Sequence, residues 1–113
     1  MTQQPAGLYL KLKERHSDLI EAVEALGTAA RMSGPLDEKT GHLVQLGAAA
    51  AIHSRGSVCS HAARALRAGA TLDEVQHAII VLTSTIGFPT VAAALSWVDE
   101  VIEKNDGGSR AGS

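Results

Sequence analysis

Residues 43–52, LVQLGAAAAI, form a decamer interrupted only by Gln45 and Gly47, and this run limits the folds open to the chain more than any other stretch. It contains four consecutive alanines, Ala48, Ala49, Ala50 and Ala51, which favour helix over strand. A helix apolar on nearly every side is expected to be buried by several neighbours, and alanine lets those neighbours cross closely. Aromatic residues make up only 3% of the sequence against 45% hydrophobic, so the core must be assembled from Ala, Val, Leu and Ile.

Gly and Pro divide the rest into further helical blocks. No stretch shows the alternation and β-branched enrichment of an exposed strand, so the fold class is all-α. The first block, about residues 6–32, has a break at His16-Ser17-Asp18 where Ser17 is placed to cap a second helix, and it ends at Gly34-Pro35. Asp37 suits the N-cap of the alanine-rich helix. Another helix is expected over about residues 57–68, with Ser57 as a natural N-cap and Gly69 as the C-terminal stop. Thr71-Leu72-Asp73-Glu74 matches a capping box and opens a helix carried to Ile86, where Gly87-Phe88-Pro89 stops it. The last helix begins at Pro89 or Thr90 and presents Val91, Ala94, Leu95, Val98, Val101 and Ile102 as one stripe. Residues 1–104 thus read as a single domain, and the Gly- and Ser-rich residues 105–113 as a disordered tail.

Several function classes fall away. A net charge of −2, without a run of like charges, gives no footprint for nucleic acid. The apolar runs are too short for a membrane span, and residues 1–7 lack the pattern of a secretory signal, so a cytoplasmic location is expected. A single cysteine, Cys59, excludes an internal disulfide and a cysteine-rich zinc site within one chain. Of the five histidines, His42 and His53 share a helix face but lie ~16 Å apart along it, too far to ligate one metal. No metal and no cofactor is expected. Apolar helices in so small a domain call for partners of their own kind, and a homo-oligomer is expected.

Over residues 36 to about 101 the chain resembles the carboxymuconolactone decarboxylase and AhpD-like family. The resemblance is carried by Leu36-Asp37-Glu38-Lys39, the alanine-rich helix, His61 followed by Gly69-Ala70-Thr71, Glu74-Val75, and Ile86-Gly87-Phe88-Pro89. It implies a bundle with antiparallel core helices, assembled into trimers or hexamers, with the active site near a subunit interface. The peroxidase branch of that family carries Cys-x-x-Cys-x-x-x-His and an upstream relay glutamate. Aligned on His61, these cysteine positions are Ser54 and Ser57, and the glutamate position is His42. A two-cysteine relay needs an attacking and a resolving thiol, which serines do not supply. The decarboxylase branch also lacks the cysteine pair and has a stretch resembling His61-Ala62-Ala63-Arg64-Ala65, but it generally keeps the glutamate.

The candidate site follows. Ser54, Ser57, His61 and Arg64 fall on one helix face. His61 is the expected general acid/base of a decarboxylase-like reaction on a small molecule, because imidazole titrates near neutrality and can exchange a proton with an enolate. His42 is its expected assistant, Arg64 the contact to a substrate carboxylate, and Ser57 a hydroxyl within hydrogen-bond reach of His61. Cys59 sits roughly 200° around the helix from His61, beside Ala62, Ala63 and Leu66. It becomes a reactive thiol only if the helix starts late enough to leave it in the first turn. A single-cysteine peroxidase using Cys59, and a non-catalytic oligomeric binding protein, are the alternatives.

Overall fold

The computed structural model describes the backbone of residues 5–112 and the side chains of residues 7–104. Seven helices follow one another: α1 (Pro5–Arg15), α2 (Ser17–Arg31), α3 (Glu38–Ala51), α4 (Arg55–Arg67), α5 (Leu72–Ile80), α6 (Thr83–Ile86) and α7 (Phe88–Gly112). Among the described residues no strand occurs.

The α3–α4 hairpin is the centre of the molecule, and these two helices make the most extensive contact of any pair, as expected of antiparallel neighbours joined by a short turn. Their buried faces carry Leu46, Ala49 and Ala50 from α3 against Val58, Ala62 and Ala65 from α4. Val75 and Ile79 of α5 and Val91, Ala94 and Val98 of α7 complete the same core. Its largest fully buried side chains are Leu46, Ile79, Val58, Val75, Val91 and Val98, with no ring among them.

Local chemistry sets the helix limits. Asp37 accepts from the amide of Thr40 at 2.8 Å, capping α3. The capping box at α5 is complete: Thr71 N–H donates to Glu74 Oε1 at 2.8 Å, and Glu74 N–H donates to Thr71 Oγ1 at 3.0 Å. Gly69 and Gly87 hold φ of 104° and 91°, which glycine adopts without strain, and so end α4 and α6.

Several boundaries differ from expectation. His16, not Ser17, occupies the N-cap of α2, and no side-chain cap bond forms there. α4 starts at Arg55 with Ser54 at its N-cap, so Ser57 lies inside the first turn rather than capping it. The turn into α4 is closed by His53 at φ 58°, where histidine is tolerated better than β-branched residues. The helix opened by the capping box ends at Ile80, and a separate α6 takes residues 83–86, with Thr83 Oγ1 donating to the Ile80 carbonyl at 2.7 Å across the break. The backbone of α7 continues helical to Gly112, over the segment whose composition reads as a tail; side chains from residue 105 onward lie outside the described ones.

The alanine-rich helix is not enclosed on all sides within one chain. Val44 and Ile52 are 58% and 74% exposed, and Ala48 and Ala51 also face outward. α1 and α2 pack as a hairpin, with Ile20 buried and Leu8, Leu10, Leu19, Val23 and Leu26 exposed.

Candidate functional site: a histidine pair beside an arginine-walled cleft

α3 and α4 bring His42 and His61 face to face, Nδ1 to Nδ1 at 3.2 Å, with ring centroids 5.5 Å apart. His42 is buried among core residues at 2% exposure, while His61 is partly exposed. Two ring nitrogens at hydrogen-bond distance require one N–H donor and one bare acceptor, so the rings share a single proton between them. Glu38, one turn before His42, places Oε1 3.9 Å from His42 Nε2. Its charge favours a proton on that nitrogen, which leaves His42 Nδ1 as the acceptor, His61 Nδ1–H as the donor, and His61 Nε2 bare.

Both imidazoles are held below the ordinary histidine range. For His61 the pKa falls to about 4, through burial first and then the charges of His42, Arg64 and Arg31. His42 is lowered by burial, Arg31, Arg64 and Arg67, with Glu38 opposing. Near neutral pH the pair is therefore uncharged: a ring lone pair is available, but it takes up a proton less readily than an ordinary imidazole unless a further charge favours the cationic form.

His42 also lines a cleft of about 330 Å³, together with Arg31, Glu38, Arg64, Arg67 and Ala68. A second hollow of about 460 Å³ adjoins it, sharing Arg31 and Glu38 and continuing past Thr28, Met32, Gly34 and Leu36. The cleft lies where the C-terminal turns of α2 and α4 meet the first turns of α3.

Of the residues expected from sequence, His42, His61 and Arg64 converge here. Ser57 lies one turn before His61 on the same helix, but the hydrogen bond found at His61 Nδ1 is to His42. Cys59 stands apart. With α4 beginning at Arg55 it is beyond the first turn, and its thiol faces α7, donating to the Trp97 carbonyl at 3.7 Å. Burial, followed by the charge of Glu100, pushes its pKa up, which opposes thiolate formation. Arg31, Arg67 and Glu38 were not anticipated. Arg67 was findable, being three residues past Arg64 and so on the same face; Arg31 comes from another helix and had no local signal. Among the described residues no three side chains of metal-ligating type converge, and no helix is long and apolar enough to cross a membrane.

Fold and site together define a class: a small all-helical protein that sets a paired imidazole against a cationic cleft. The carboxymuconolactone decarboxylase family pattern matches residues 17–100, and the chain belongs to that family. Its fold is similar to that of a carboxymuconolactone decarboxylase family protein from Legionella pneumophila, solved by crystallography in the apo form. The TM-score is 0.72 at 22% identity, over 87% of this chain and 88% of that one. No curated protein matches the sequence.

Proposed function

We propose that the chain is a decarboxylase-like enzyme acting on a small organic acid, with the His42–His61 pair carrying the proton and Arg64 holding the substrate carboxylate. The carrying observation is the 3.2 Å Nδ1–Nδ1 contact beside the arginine-walled cleft. On loss of carbon dioxide from a lactone acid the breaking C–C bond leaves its electron pair on the adjacent carbon as an enolate, and that carbon must be protonated. The pair is suited to both halves of the proton exchange: its one bare nitrogen, His61 Nε2, takes up a proton from the acid or solvent and returns it to carbon. His61, the less buried ring, acts as general acid/base; His42 fixes its tautomer and connects it to the cleft. Assembly into a homo-oligomer, trimer or hexamer, belongs to this reading, as it would cover the apolar helix faces left open on one chain.

The test is carbon dioxide release from a panel of small carboxylated γ-lactones, comparing wild type with His61→Gln and His42→Gln. The expected loss of kcat/KM is about 10²- to 10⁴-fold for His61→Gln. Turnover by His61→Gln at the wild-type rate would remove the assignment. The single-thiol peroxidase reading has little physical support, since the Cys59 thiol is held protonated and hydrogen-bonded to α7.

A further inference from the structure

The chain has a net charge of −2, yet Arg31, Arg64 and Arg67 gather around one cleft. The ion pairs among the described residues are Lys13–Glu24, Lys39–Glu74 and Arg55–Glu100, with Glu38 3.9 Å from the uncharged His42, and none of these contacts engages the three guanidiniums. Arg31 reaches only the neutral amide of Gln45, Oε1 at 3.4 Å. Its stem lies over Gly41, packed closely enough that a Cβ there would stand in van der Waals contact with Cγ and Cδ at 3.4 Å. Unneutralised cations held around a shared hollow repel one another, and an oxyanion between them removes that cost.

The same cations govern the imidazoles. The charged groups facing the pair are Arg31 from α2, Glu38 from α3, and Arg64 and Arg67 from α4. Among the described residues, α5 and α7 bring no charge onto either ring; the carboxylate of α5 near this end, Glu74, is taken up by Lys39 and Thr71. An anion seated among the arginines opposes their field at His42, which lines the cleft, and at His61, one hydrogen bond behind it.

Resting on the reading of this cleft as the substrate site, we infer that Arg31, Arg64 and Arg67 form an oxyanion-binding site, and that filling it draws one proton from solvent onto the His42–His61 pair. The ligand class is a carboxylate or a tetrahedral oxyanion. The anion itself binds without a covalent bond; a buffer acid gives up its proton, which forms an N–H bond at the bare Nε2 of His61, while the Nδ1–H···Nδ1 bond between the rings is kept. A substrate that arrives as an anion thereby arms the acid that its own carbanion will later need.

The probes are sulfate and trifluoroacetate, which stay fully ionised from about pH 4 to about pH 8 and so bring no proton of their own. Histidine ring proton resonances of the full chain are titrated with and without each anion at saturation. The midpoint of the His42–His61 pair is expected to rise by about one pH unit or more, and by linkage anion affinity strengthens about tenfold per unit of that rise as pH falls from about 8 to about 4. Arg67→Gln is expected to weaken binding by about tenfold or more with helical content preserved in circular dichroism, whereas Arg15→Gln leaves binding unchanged. A response to sulfate alone or trifluoroacetate alone upholds the site and names its oxyanion. A midpoint unmoved at saturation, or Arg67→Gln binding like Arg15→Gln, overturns it. Turnover that depends on His61 without a midpoint shift leaves the enzymatic reading standing, and a midpoint shift without turnover leaves this site and removes the enzymatic one.

Discussion

At the scale of single residues, the unusual feature is an ionisable pair in a setting where neither ring is readily charged. The consequence for stability has a definite sign. An unfolded chain binds protons at its histidines near pH 6.5, whereas folded His61 resists protonation until about pH 4. Stability contributed by the neutral pair is therefore complete above the unfolded value and is lost as pH falls from there toward the folded one. The melting temperature of the wild type is expected to fall across that window, and His61→Gln, which cannot be protonated, should flatten the part of the decline owed to His61. Parallel profiles for the two proteins would show that the neutral state of this ring matters little to folding. Cys59 shows how a helix phase decides reactivity: two residues from His61, it is turned toward α7 and held as a thiol.

At the scale of elements, the capping box at α5 is the most independent unit, satisfied by its own four residues. Thr71→Ala removes the acceptor for the Glu74 amide and is expected to cost about 1 kcal/mol, measurable as a lower denaturant midpoint with an unchanged slope. This box was legible in the sequence because all its partners lie within four positions, as was the Asp37 cap of α3. The start of α4 was less so. Ser57 is as good a cap by type as Ser54, and the choice is made by the turn through His53, a tertiary matter. The separation of α6 from α5 escaped the same reasoning, since the stretch from Val75 to Ile86 carries no glycine or proline to mark the break. In the site, His61 was legible from helix phase and family resemblance, His42 from the resemblance alone, and Arg64 from its place on the face of His61. Arg31 and Glu38 belong to helices whose approach only the assembled fold defines.

At the scale of the whole molecule, one chain leaves much apolar surface uncovered. Leu10, Leu19, Val23, Leu26 and Met32 are between 51% and 78% exposed, as are Val44, Ile52 and Val81 on the opposite elements. The radius of gyration, 14.5 Å, also exceeds the roughly 13 Å of a compact domain of about a hundred residues. Self-association is the expected outcome in sedimentation, and Leu19→Gln combined with Leu26→Gln should shift the distribution toward the monomer; a wild type that sediments as a monomer at all concentrations would count against it. The alanine seam between α3 and α4 has a further consequence. Alanine has no rotamer to yield, so the gap across which the imidazoles meet is dictated by how closely two backbones can lie. A larger side chain at Ala49 or Ala62, far from any ligand, would act as a wedge: the rings would part, and proton passage between them would cease with every site residue still in place.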